Sequence, residues 1–594
     1  MGFMAFLQRF FIFLRTKLSR VQYIMVIAIV VGLISGLCAV VLKIGVHQLQ
    51  HFVENHSTQK LLILVLPVIG LFFTVLLIRY FWGGQIEKGI ALALKAIAGN
   101  ASYIAFQHTY LHLFTSSLTV GLGGSAGLEA PIVATGSAVG SNFARIADLT
   151  YQERTLLLAC GAAAGISAVF NAPIAGVMFA IEILLTETII SYFIPLIISS
   201  VVGALCSKII LDETSLFTFV LKQSFNYVNV PFYMLLGVLA GFVSLYYAKV
   251  FKGIEKQIHG WKINAYVKAI AGGVFLIIIY FVFPPLFGEG YNSVKLVANG
   301  NLKSFVDNTQ LFAALNNNWA LIAFAGMIVL FKPIAAGITI GSGGNGGNFA
   351  PSLFTGSFLG FFFSKLLNST PWIKIPESNF SLVGMAGVLS GVMYCPLTAV
   401  FLIAEITNGY ELFIPLMIVS SISFFIVKSY EPYSMDTKKL ALEGQIFTHK
   451  KEKNILTSIL LESMLQDQYE TIHIDKKLKD LIEVIKRSEK NIFAVVDHRD
   501  RFVGIIELND VKQKIFQPEQ FEKVSVKSLT KKPAAILQQD QDMNSVMEKF
   551  DLAQSWYLPV LNKDRKFIGF ISKTKLFNKY REILAAQADL YENQ

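Results

Sequence analysis

From about residue 21 to residue 428 the chain is a succession of long apolar runs, broken by glycine, proline and short polar turns. Runs such as those near 22–46, 60–81, 192–211, 229–251, 266–287, 318–340 and 411–428 are long enough to cross a bilayer as helices. Others, including 380–392 and 396–407, are too short for a full crossing, and several are interrupted. Short, glycine- and proline-broken apolar segments in corresponding places of two halves point to a transport site. From about Glu452 the pattern changes to the period-2 and period-3.6 alternation of a water-soluble domain.

The two halves are visible directly. Gly127-Leu-Glu-Ala-Pro131-Ile-Val-Ala-Thr135-Gly136-Ser137 matches Gly347-Asn-Phe-Ala-Pro351-Ser-Leu-Phe-Thr355-Gly356-Ser357 at an offset of 220 residues. Ser167 to Pro173, running on to Glu182, matches Ser390 to Pro396, running on to Glu405, at an offset of 223. Two matched blocks in the same order mark a duplicated membrane unit. Glycine-broken helices favour repeats of inverted topology over parallel ones.

Composition agrees. The 594 residues are 54% hydrophobic and only 15% charged, against roughly 25% in soluble chains. The net charge of +11 lies at span ends and flanks, where lipid head groups account for it, so nucleic acid is excluded as the partner. The basic, aromatic stretch 1–20 lacks a signal peptide's small-residue cleavage site and reads as a cytoplasmic interfacial helix. Cys38, Cys160, Cys206 and Cys395 all sit in apolar stretches and read as small core residues.

The chemistry concentrates in two glycine-rich loops, Gly123–Pro131 and Gly341–Pro351. An anion inside a membrane needs a substitute for its water shell, and helix N-termini supply free amides and a positive dipole end. Glycine allows close backbone approach, and proline suits the first turn of the following helix. Irregular backbone persists at membrane depth only where it is buried or lines a cavity. Glu129 stands where a diffusing anion would be held. A carboxylate there can merely complement the helix dipole; within such a loop it reads as a gate, occupying the anion site and released by protonation.

These motifs resemble those of the CLC family of chloride channels and proton-coupled chloride transporters, over roughly residues 20–445. The family's Gly-Lys/Arg-Glu-Gly-Pro motif stands as Gly127-Leu128-Glu129-Ala-Pro131, and its Gly-x-Phe-x-Pro motif as Gly347-Asn348-Phe349-Ala-Pro351. The resemblance implies a homodimer in the cell membrane, Glu129 as the gating glutamate and the amides of Asn348 and Phe349 around a central chloride. Three departures qualify it. The family's Gly-Ser-Gly-Ile-Pro loop falls on Glu87-Lys88-Gly89-Ile90-Ala91, which puts Lys88 at the anion-binding serine; a register over Gly83–Ile86 also lacks the serine, and Lys88 can equally be an interfacial lysine. Ile183, after Glu182, replaces the internal proton-relay acid and is the kind of residue found in the family's channels. Asp436 falls where the anion-coordinating tyrosine is expected, with Tyr433 three residues earlier as a substitute.

The tail carries its own repeat, Phe493–Ile506 and Tyr557–Ile571, each read as strand, charged turn, strand and helix, with an amphipathic helix at Leu478–Ile485 before the first. It resembles a tandem CBS pair, which implies a regulatory dimer contact and an adenosine-nucleotide site as the lesser alternative. The family's ribose-contacting pattern is incomplete in both copies: the first has Asp510 without its hydroxyl, the second Ser572 without its acid.

The expected architecture is mostly α: a polytopic membrane protein of two inverted helical repeats with re-entrant broken helices (21–211 and 212–440), a linker (441–465) and a cytoplasmic α/β tandem CBS domain (466–520 and 521–594). The expected function is a voltage- or pH-gated chloride channel, with a proton/chloride antiporter of non-standard proton route as alternative. A cation transporter would need acids along its path, yet of the three deep ones two, Glu182 and Glu405, occupy matched repeat positions that suit a structural role. No nucleophile–base set or metal cluster is visible, so neither an enzyme nor a required cofactor is expected.

Overall fold

The structure, a computed structural model, describes residues 11, 13–56, 60–84, 86–99, 102–185, 193–211, 225–298, 318–438, 440, 461–465, 469–539, 541 and 543–592. The chain divides into two compact units, Met1–Ile446 and Phe447–Gln594. The expected linker lies outside the described residues apart from its last five, as do most of the residues of the expected N-terminal helix and Gln85 of the alternative register.

The first unit is helical. Among the described residues, nine helices are long and apolar enough to cross a membrane, from Arg20–His56 to Phe413–Tyr430. Between them lie shorter pieces: Gly89–Gly99, Leu111–Gly121, Pro173–Phe179 and Pro396–Ile406. The helix Gly89–Gly99 falls on a stretch that carries no long apolar run. Cys160, Cys206 and Cys395 are buried and Cys38 is half-buried, and all four are free thiols.

The duplication is visible as repeated structure. Helix Tyr151–Phe170 ends at Asn171 and helix Glu377–Met393 at Tyr394, both left-handed caps with φ of +53° and +62°. Each then restarts at a proline, Pro173 or Pro396. In each repeat the helix after the glycine loop crosses its neighbour at backbone contact. A Cβ at Gly140 would stand 1.9 Å from the Leu157 carbonyl oxygen, and one at Gly360 would stand 1.9 Å from that of Phe380. Small residues at such crossings replace the hydrophobic driving force that lipid removes. Gly360→Ala is expected to destabilise the unit by about 1–3 kcal/mol, because backbone cannot yield as a side chain can. Thermal unfolding of the purified protein in detergent checks this; an unchanged Tm would mean the two helices separate freely.

Among the described residues, the second unit contains two three-stranded sheets. In one, β1 (Thr471–His473) runs parallel to β2 (Ile492–Val496), which pairs antiparallel with β3 (Phe502–Glu507). In the other, β4 (Leu537–Gln538), β5 (Tyr557–Leu561) and β6 (Phe567–Ser572) repeat the pattern. Both hairpins carry a register shift, at Val495/Val496 and Val560/Leu561. Their turns are built alike: Asp497 accepts the amides of Arg499 and Arg501 at 2.8 Å, and Asn562 those of Asp564 and Lys566 at 2.9 and 2.8 Å. Those amides hold the Asp497 carboxyl below its ordinary range. The halves join through Tyr469, Ile492, Ala494, Ile505 and Phe570, buried as one cluster.

Candidate functional site

The two glycine loops meet face to face. Gly127 donates to the Gly347 carbonyl at 2.9 Å, and Gly347 donates back to that of Gly127 at 2.8 Å. The loops lock each other a second way: the Ser125 amide donates to the Thr339 hydroxyl at 3.1 Å, and the Asn345 amide to the Thr119 hydroxyl at 3.0 Å. Glu182 and Glu405 are exchanged likewise. Glu182 accepts from the amides of Leu397 and Thr398 at 2.8 and 2.7 Å; Glu405 accepts from those of Ile174 and Ala175 at 3.0 and 2.8 Å. Each acid thus caps the broken helix of the other repeat. Reciprocal contacts of this kind are what a local two-fold axis between duplicated units produces. The Glu182 side is not a perfect copy, since Glu182 sits in a π-helical turn, Ala180–Leu184.

Two helices start where the loops end, Glu129–Ile146 and Phe349–Asn368, and neither has a side-chain cap. Their first-turn amides therefore need another partner. The Ala350 amide has one: it donates to Oε2 of Glu129 at 3.3 Å, while the Tyr291 hydroxyl donates to Oε1. The carboxylate stands in for an anion at the N-terminus of the second repeat's helix. Glu129 is 1% exposed, and Gly127 leaves it room, since a Cβ there would fall 2.0 Å from Oε2. Phe349 closes the other side, 5.5 Å from the ring of Phe170 and 6.3 Å from that of Phe179.

A cavity of about 360 Å³ ends on Glu129, Gly347, Asn348 and Phe349. Lys88 lines it, half-buried just before helix Gly89–Gly99, and its ammonium donates to the Gly344 carbonyl at 2.7 Å. Lys95 pairs with Glu87, and Lys252 pairs with Glu255 at 2.9 Å, and all four also line the cavity. Asp436 also lines the cavity, within electrostatic range of Lys252, so the acid at the expected tyrosine position has a basic neighbour. Tyr433 is not brought there: it is exposed and absent from the lining. The tyrosine that reaches the loop is Tyr247, buried, with its hydroxyl donating to the Asn348 side chain at 3.1 Å. Leu128 is buried behind Glu129 as the residue preceding its helix, and Ile183 is half-buried against the core.

Sequence reasoning missed Tyr291, Tyr247 and the polar set that anchors the second loop. In that set the Asn345 side-chain amide reaches the Thr115 hydroxyl at 2.6 Å and a ring nitrogen of buried His112 at 3.2 Å. A usable signal existed for one part. The 220-residue offset extends back to Thr119 and Thr339, which hold the two loops.

In the second unit, Asp510 is engaged by Lys531 at 2.5 Å, and Ser572 is buried at the start of the last helix. Neither lines the cavity of about 420 Å³ formed by Glu462, Gln538, Gln539, Asn562, Lys563 and Asp564.

Residues 70–428 match the family model described as voltage gated chloride channel, and residues 461–516 match the CBS domain. The chain is 25% identical over 463 residues to the chloride channel protein CLC-f of Arabidopsis thaliana, covering 69% of this chain and 58% of that protein, less than two thirds of its length. It is 27% identical over 421 residues to the H(+)/Cl(−) exchange transporter ClcA of Vibrio campbellii, covering 67% and 84%. The fold is similar to that of a slow cyanobacterial Cl−/H+ antiporter, with a TM-score of 0.59 at 21% identity over 72% of this chain and 98% of that one. It is also similar to a eukaryotic CLC transporter, with a TM-score of 0.59 at 14% identity, over 93% and 97%.

Proposed function

Because the chain belongs to the voltage gated chloride channel family, a multi-pass membrane family, we propose that it conducts chloride or a similarly small anion passively, with Glu129 as the gate. The observation that carries this reading is the Glu129 carboxylate bound to the Ala350 amide at the head of an otherwise uncapped helix. A carboxylate and a halide compete for the same amide donors, so the path opens when the carboxylate leaves. Lys88, with the amides of Asn348 and Phe349, holds the anion on the cavity side. Gating follows pH through protonation of Glu129, and voltage through the charge it moves. The working unit is a homodimer in the cell membrane with its CBS pair in the cytoplasm, where the pair regulates. A nucleotide at Asp510 and Ser572 is the lesser option, since Lys531 already engages Asp510.

Passive conduction rather than exchange is favoured by Ile183, which cannot titrate, and by Glu182, whose two oxygens are both used as a cap. Proton/chloride exchange is the competing reading, supported by relatives named as exchange transporters. The reversal potential of purified protein in planar bilayers separates them. Under a tenfold chloride gradient it is expected at the chloride Nernst value, about 59 mV, and to stay there when a pH gradient is added. Movement toward the proton potential would establish exchange instead.

A further inference from the structure

Next to the gate, outside the cavity lining, stands a second acid that the duplicated loops do not contain. The turn Gly288-Glu289-Gly290 precedes Tyr291, the residue whose hydroxyl holds Glu129. Glu289 is half-buried, and its carboxylate lies beside the Leu128 amide and within electrostatic range of Glu129. The turn is fastened by Lys332 from helix Asn318–Gly341. Lys332 is 0% exposed; its ammonium donates to the Gly288 carbonyl at 3.2 Å and lies 4.4 Å from the centre of the Phe354 ring. A fully buried lysine requires an opposing charge, and Glu289 faces it. The charged and titratable groups facing Glu289 are then Glu129, Lys332 and, from helix Arg20–His56, the half-buried Lys43. Tyr291 faces both acids. Gly290 is needed at the turn: its φ is +87°, and a Cβ there would meet the Phe354 ring at 2.4 Å.

Two carboxylates in one site repel, so the pair takes up one shared proton more readily than either carboxyl alone would. Lys332 opposes that charge from a fully buried position, whereas the half-buried Lys43 acts through solvent screening. Glu289 is the more exposed of the two, so it is the member that meets water first.

We propose that Glu289 and Glu129 form a carboxyl pair that holds the gating proton jointly, with Lys332 as the buried counter-charge and Glu289 as the entry point for the proton. Hydronium from bulk water protonates Glu289. That O–H bond then breaks as one forms to a Glu129 oxygen, and the total charge of the pair is unchanged by the hand-over. Neutral Glu129 releases the Ala350 amide, and Glu289 is left ionised opposite Lys332.

This inference rests on Glu129 being the gate, and one set of measurements tests both. Chloride efflux from proteoliposomes is followed across pH for wild type, Glu289→Gln, Glu289→Asp, Lys332→Met and Glu129→Gln. Removing the negative neighbour favours ionised Glu129, so Glu289→Gln is expected to move the midpoint of activation to lower pH by about one unit or more. Removing the positive neighbour acts oppositely, so Lys332→Met is expected to move it to higher pH. Glu289→Asp keeps the charge and is expected to stay close to wild type. A packing defect would lower the rate without shifting the midpoint in opposite directions, and the Glu289 variants decide the matter even if Lys332→Met fails to fold. If Glu289→Gln titrates like wild type while Glu129→Gln is flat, the pair is wrong and the gate stands. If Glu129→Gln keeps the wild-type profile, the gate reading falls and the pair with it.

Discussion

Glu129→Gln is expected to raise chloride efflux at neutral pH by at least about tenfold and to flatten its dependence on pH. In the structure the carboxylate is held by the Ala350 amide at 3.3 Å and by the Tyr291 hydroxyl. Charge-assisted hydrogen bonds contribute about 1.5–3 kcal/mol each, and each 1.36 kcal/mol of lost hold is a factor of ten in occupancy of the site. Glutamine keeps the size and loses the charge, so it competes poorly with chloride for the amide. It also cannot take up or release a proton near neutral pH, which removes the titration. The sign follows: wild-type flux rises as pH falls because protonation frees the site, while the variant is already free at every pH. Efflux from proteoliposomes, read with a chloride electrode between about pH 4.5 and 7.5, decides it. Unchanged rate together with unchanged pH dependence would remove Glu129 from the gate.

Lys88→Met is expected to lower chloride flux about tenfold at low chloride and much less at saturating chloride. The ammonium lines the cavity that ends on Gly347, Asn348 and Phe349, and the other two lysines of the lining, Lys95 and Lys252, each form an ion pair with an acid. Two unit charges 4 Å apart interact by about 4 kcal/mol at an effective dielectric constant of 20. Lys88 is only half-buried, and solvent and salt screen it. A residual near 1.4 kcal/mol, tenfold in affinity, is the appropriate size. Methionine preserves the stem's packing, and Lys88→Arg should retain most of the flux. A uniform loss at all chloride concentrations with a lowered Tm would instead mean that the ammonium serves only to hold the Gly344 carbonyl.

Much of this site is legible in the chain alone. Composition and apolar run length establish the membrane class, because each apolar segment must satisfy its backbone within itself. The 220- and 223-residue offsets expose the duplication, and Glu129 stands out as a deep acid inside a glycine loop. Register against a motif points to Lys88 and Asp436, and both line the cavity. Nearness in sequence to a missing tyrosine points to Tyr433, which lies exposed; Tyr247, far away in the chain, is the one that reaches Asn348.

What the sequence determined by itself is whatever local spacing and composition carry: the apolar spans, the breaks at proline and glycine, the two copies, and the single loop acid. Only the tertiary structure decided the partners. Tyr291 on Glu129, Glu182 on the amides of Leu397 and Thr398, Thr119 on the Asn345 amide, and Glu289 with Lys332 all join residues more than 40 positions apart. Such pairs leave no periodic trace, because a hydrogen bond or ion pair across a fold depends on where two backbones cross. Here the crossings are set by glycines at Gly140 and Gly360 that let the helices touch. The proposed gate belongs to that second class, since a carboxylate can serve as a gate only when another segment presents the amide it must release.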